Sequence, residues 1–139
     1  DNLLAANPDI GEDGVNHVIR EAGLGAFIDE SAQGLDTPIT DNGGTLALGI
    51  RRRLALARAL ANTLGDGGRL VLFDEPTEGL DKEGAAAVYA ALKRLAEERR
   101  TLVLVTNDPV ILKGARVVLD LNTKPAPQLV SVVTSEHAS

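Results

Sequence analysis

Two runs of unbroken apolar residues stand out along the chain, Leu70-Val71-Leu72-Phe73 and Leu102-Val103-Leu104-Val105. Neither alternates with polar positions, so each reads as a short strand of a parallel sheet, buried on both faces under helices. Elsewhere the period is helical. Ile50, Leu54, Ala57, Ala61 and Leu64 fall on one helix face, with Arg51, Arg52 and Arg58 off that stripe and read as solvated. Residues 12–22 carry Val15, Val18, Ile19 and Ala22 at the same spacing and close at Gly23; a further helical turn is expected over 26–31. Residues 83–99 form a longer helix, with Val88, Leu92 and Leu95 inward and the i,i+4 pairs Lys93/Glu97 and Arg94/Glu98 on the exposed side. Asp108 and Pro109 make an N-cap and first-position pair for a short helix to Gly114. Strands over 116–121 and 129–133 are expected to complete the sheet, and residues 135–139 read as a disordered tail.

Composition narrows the function. The 139 residues include no cysteine, which removes disulfides and thiolate metal sites. A net charge of −6 and only three aromatic residues, Phe27, Phe73 and Tyr89, argue against a nucleic-acid partner. No apolar run approaches the ~18–20 residues needed to span a bilayer. His17 reads as a surface or half-buried side chain rather than a ligand, and His137 lies in the polar tail.

Candidate chemistry begins where the first apolar run ends. In open α/β sheets, ligands bind beyond the carboxyl ends of strands, and here Asp74 and Glu75 occupy that place, followed by Pro76 and a Gly79-Leu80-Asp81 turn. A strand-end carboxylate can hold Mg²⁺, and a second one beside it can orient and deprotonate a water. The whole stretch, Leu-Val-Leu-Phe-Asp-Glu-Pro-Thr-Glu-Gly-Leu-Asp over residues 70–81, resembles the Walker B strand and D-loop of ABC-type ATPases, the nucleotide-binding domains of ABC transporters. That resemblance implies Asp74 as the Mg²⁺ carboxylate, Glu75 as the general base toward the attacking water, and Asp81 as the D-loop residue near the nucleotide.

The resemblance extends on both sides. Asp36-Thr37 and Asp41-x-Gly43 look like the X-loop of exporters, which implies contact with a transmembrane domain. Leu46, Ala47, Leu48, Gly49 and Ile50 stand where the family has the signature Leu-Ser-Gly-Gly-Gln, keeping only Leu46 and Gly49. The signature binds the γ-phosphate of ATP held by the opposite protomer, from a helix N-terminus. Ala47 offers no hydroxyl; one lost hydrogen bond to a charged phosphate is worth about 1.5–3 kcal/mol, and Leu48 adds bulk beside it. Asn107 follows the second strand, where the family places a switch histidine; its amide can still bond a phosphate but carries no proton or charge. Residues 1–9 resemble the segment after the Q-loop of exporters. A phosphate-binding loop needs Gly immediately before Lys, and Lys82, Lys93, Lys113 and Lys124 each follow another residue, so the Walker A half is expected to lie outside this chain.

These features imply a truncated P-loop NTPase domain of the ABC ATPase type: an α/β fold, mostly parallel sheet under helices, with a helical subdomain. Residues 1–64 would be the helical subdomain and signature region, 65–134 the Walker B, D-loop and switch part of the core, and 135–139 the tail. The implied function is part of the ATP-hydrolysing subunit of an ABC exporter, using ATP and Mg²⁺, working as a head-to-tail dimer with a second nucleotide-binding domain and a transmembrane domain on the cytoplasmic side of the membrane. By itself the chain is expected to be inactive. The alternative is a degenerate ABC module with a regulatory role and little turnover. A third class, a soluble ABC ATPase of chromosome maintenance, would need a coiled-coil insertion and a basic face.

Overall fold

The computed structural model describes residues 2–65 and 68–132, which fall into two compact units divided between Val105 and Thr106. The tail expected over 135–139 lies outside the described residues. In chain order the first unit holds α1 (Asn2–Ala6), α2 (Gly11–Glu21), α3 (Gly25–Glu30), two single 3-10 turns (Gly34–Asp36 and Asp41–Gly43), α4 (Leu48–Ala61), β1 (Leu70–Asp74), α5 (Lys82–Glu97) and β2 (Thr101–Val105). The second holds α6 (Pro109–Gly114), β3 (Val117–Asp120) and β4 (Gln128–Val132).

The expected helices form close to their predicted ends. Gly23, at φ 69°, terminates the α2 turn in the left-handed conformation that favours glycine. Asp108 caps α6 by accepting from the Val110 amide, 2.8 Å, with Pro109 at its first position. Asp81 caps α5 by accepting from the Gly84 amide, 2.7 Å.

β1 and β2 pair in parallel, Leu70 against Thr101 through Asp74 against Val105, with α5 as the crossover between them. Val71 and Phe73 point into a core shared with Leu56, Leu60 and Ala61 of α4, Val88, Ala91 and Leu95 of α5, Val18, Ile19 and Ala22 from α2 and its end, and Leu3 of α1. Two expectations fail here. β1 is buried on one face only: Leu70 and Leu72 are 64% and 68% exposed, and their neighbours Val103 and Val105 lie open beside them. Among the described residues the helices cover one side of this sheet, although an unbroken apolar run is the pattern of a strand covered on both.

β3 and β4 do not complete the parallel sheet. They pair antiparallel with each other, with an irregularity between Val118 and Leu119, as a separate two-stranded sheet in the second unit. Their connection is too short for a parallel crossover, so direct antiparallel pairing is the geometry open to them. Among the described residues no helix is long and apolar enough to cross a membrane.

Candidate active site: the Asp74–Glu75 cleft

Asp74 is the last residue of β1 and is exposed; Glu75 follows, half-buried, at φ 44°. A non-glycine residue in that left-handed region costs of the order of 1–3 kcal/mol and persists where its surroundings fix it. Here the Glu75 amide donates to the Val105 carbonyl of β2, 2.8 Å, extending the ladder one step beyond the strand. The chain then turns sharply: the Glu78 amide donates to the Glu75 carbonyl and Leu80 to Thr77, both at 3.2 Å. Gly79 sits at φ 67°, and a β-carbon on it would stand 3.4 Å from Leu48 Cδ2, so the turn lies close against the start of α4.

Between α4 and β1 opens a cleft of about 440 Å³, lined on the helix side by Arg52, Ala55 and Ala59 and on the strand side by Leu72, Asp74, Glu75, Pro76 and Glu78. Arg52 reaches across part of it to Glu78, Nη2 to Oε2 3.0 Å. Asp74 and Glu75 are thus brought together at the carboxyl end of the sheet, as the sequence predicts. Mg²⁺ takes one or two carboxylates and completes its shell with water and phosphate oxygens, so this pair fits the protein's share of such a site.

The pentapeptide stands at the N-terminus of α4, where Ala47 takes the N-cap position at φ −55°, ψ 145° without a side-chain hydrogen bond. Leu46 is half-buried and its amide donates to Gly43; Leu48 is 49% exposed; Gly49 and Ile50 are half-buried, and a β-carbon on Gly49 would meet open space. None of these five residues lines the Asp74–Glu75 cleft.

Asp81 is engaged at the foot of α5. Its Oδ1 accepts from the Gly84 amide and from Arg53 Nη2, 2.6 Å, and these two donors, the amide first, hold the carboxyl below its usual range. Asn107, in the second unit, is exposed in a turn fixed on its far side, where the Asp108 amide donates to Thr106 Oγ1, 3.0 Å. Arg53 is the residue that the sequence reading passes over. Arg51 and Arg58 are exposed and Arg52 is half-buried, but Arg53 is buried, one helical turn after Ile50 and one before Leu56 and Ala57. That register is the signal that could have found it.

Comparison with known proteins places this chain among ABC exporter proteins. The chain is 37% identical over 115 residues to the ATP-dependent lipid A-core flippase of Neisseria meningitidis serogroup B, covering 83% of this chain and 18% of that protein. It is 36% identical over 107 residues to the glutathione/L-cysteine transport system ATP-binding/permease protein CydD of Escherichia coli K12, covering 77% of this chain and 17% of that one. Among solved structures, a bacterial Atm1-family ABC exporter with ATP bound matches 85% of the chain and 20% of its own length, at a TM-score of 0.71 and 24% identity. No protein-family profile matches the chain. The chain therefore spans about a fifth of the length of these relatives.

Proposed function

Because this chain belongs to the exporter-type ABC transporter nucleotide-binding proteins, we propose that it is the C-terminal part of the ATP-hydrolysing domain of an exporter, acting on the cytoplasmic side of a membrane. The observation that carries this reading is the pairing of Asp74 and Glu75 on the cleft, with Glu75 held in a left-handed backbone by the Val105 carbonyl. Asp74 serves as the metal carboxylate. Mg²⁺, when bound, neutralises charge developing on the transferred phosphoryl group. Glu75 accepts the proton of the attacking water; its rigid backbone fixes the direction from which it does so. Asn107 contributes an uncharged amide toward the γ-phosphate where a histidine could carry charge.

The phosphate grip lies elsewhere. The chain contains no Gly-Lys pair, so ATP is held chiefly by upstream residues of the same domain. The separation of residues 46–50 from the Glu75 cleft favours their use in a second site, completed by a partner domain arranged head to tail. In that dimer the α4 N-terminus of one protomer faces the γ-phosphate held by the other, and Asp81 lies in the turn between. The X-loop-like segment, with its turns at Gly34–Asp36 and Asp41–Gly43, is the contact for the transmembrane domain.

Glu75→Gln in the full-length protein tests the reading. The amide preserves size and hydrogen bonding but is a poor base, so MgATP binding should persist while kcat falls by about 10²–10⁴. An unchanged kcat would remove Glu75 from this role. The reading of a regulatory module with little turnover is favoured by Ala47 and Asn107 alone, and the restoring pair Ala47→Ser with Asn107→His distinguishes it.

A further inference from the structure

Arg53 joins three elements that sequence separates widely. Its Nη1 donates to the Gly23 carbonyl at the end of α2, 2.8 Å, and its Nη2 donates to Asp81 Oδ1 at the start of α5, 2.6 Å, while its own backbone belongs to α4. The Arg53 side chain is only 10% exposed, and its buried Nε has no hydrogen-bond acceptor among the described residues. Burying a cation with one donor unsatisfied is costly, and an apolar side chain would pack the same space at lower cost, so the arginine is a poor choice for stability alone. Gly84 closes the remaining side: a β-carbon there would stand 3.0 Å from Asp81 Oδ1, 3.1 Å from Arg53 Nε and 3.2 Å from Leu80 Cβ.

The consequence is mechanical. The turn that follows Glu75 is attached to α4 at three points, Gly79 against Leu48 at the helix start, Glu78 through its ion pair with Arg52, and Asp81 on Arg53. Five residues of helix, about 7.5 Å, separate Leu48 from Arg53, so the turn cannot swing about any one of these attachments alone. We propose that Arg53 is a positioning residue that fastens the Asp81 turn to α4, so that the Glu75 loop and residues 46–50 move as one body. This rests on the exporter reading above, in which those two segments serve different nucleotide sites of a dimer; Arg53 then couples one site to the other. It does not line the Asp74–Glu75 cleft.

A double-mutant cycle in the full-length protein tests this. Arg53→Met removes both donors, and Asp81→Asn keeps an acceptor for the Gly84 amide while removing the charge opposite Arg53. At saturating MgATP, each is expected to lower kcat per folded protein at least tenfold with KM within twofold, and the double variant should lose no more than the larger single loss. Arg53→Lys, which reaches one acceptor at a time, should fall between, and carries the same test should Arg53→Met not fold. Gly84→Ala should lower kcat likewise, against the usual gain of alanine in a helix. Additive losses, or an unchanged kcat per folded protein, would overturn the proposal. If the unsubstituted protein hydrolyses no ATP, the exporter reading fails instead; the link is then judged on thermal melts of the same cycle, where coupled losses support it and additive ones refute it.

Discussion

Ala47 occupies a position where two demands meet. As the N-cap of α4 it leaves the helix without a side-chain acceptor, and serine, threonine, asparagine or aspartate there would stabilise the helix by about 0.5–2 kcal/mol. As a signature residue it withholds a hydroxyl from the γ-phosphate of the partner site. Ala47→Ser should therefore raise the melting temperature of the nucleotide-free protein and, together with Asn107→His, raise kcat about tenfold or more if one charged hydrogen bond is regained in the transition state. A protein that melts higher but turns over no faster would show the cap effect alone and would take away the main support for a regulatory module. The same scale shows what sequence conceals. Asp74 and Glu75 were legible because two acids after an apolar strand have few structural explanations. Arg53 was not, because three consecutive arginines look alike until the helix register is known, and only its neighbours Gly23 and Asp81, 30 and 28 residues away, give it a role.

Neighbouring positions on α5 make the same point about elements. Lys93/Glu97 and Arg94/Glu98 are identical i,i+4 patterns, and both form, at 3.9 Å and 2.6 Å. Their surroundings differ. Lys93 and Glu97 are 78% and 67% exposed, a solvated pair worth little. Arg94 also grips Glu21 of α2 through Nε and Nη2; burial works against its charge, but the bonds to Glu21 and Glu98 outweigh it and hold the guanidinium charged. Glu21 is only 12% exposed, so removing Arg94 leaves its carboxylate at the α2–α5 contact with only His17, 3.5 Å away, beside it. Arg94→Met should cost about 1–3 kcal/mol, and Lys93→Met should stay within about 0.5 kcal/mol, by denaturant unfolding. Equal effects would reduce the Arg94 link to a surface pair. Periodicity placed α2 and α5 within two residues and carried α4 three residues past its end at Ala61, since each buries one stripe of its own sequence. It misassigned β3 and β4, because strand pairing is decided by partners and connections that no single segment encodes.

At the scale of the molecule, the first unit presents one sheet face that its own helices leave open. Leu70, Leu72, Val103 and Val105 stand side by side on it, 46–68% exposed, with Asp74 at its end. Fully burying one Leu or Val side chain contributes about 1.5–3 kcal/mol, so covering this face is a substantial share of the stability typical of one domain. In the reading proposed here, the upstream half of the domain covers it and brings the Gly-Lys phosphate loop to the same end of the sheet. Two deficits then share one cause: the 139 residues alone should bind an apolar-surface dye strongly and should show no micromolar MgATP binding by titration calorimetry. Extending the chain upstream through the phosphate loop should quench the dye signal and restore binding together. Micromolar MgATP binding by the 139 residues alone would contradict the division of labour, because the grip would then reside among Asp74, Glu75 and Arg52 of the cleft. Loss of dye binding on extension without gained affinity would show that the upstream segment covers the face but does not complete the site.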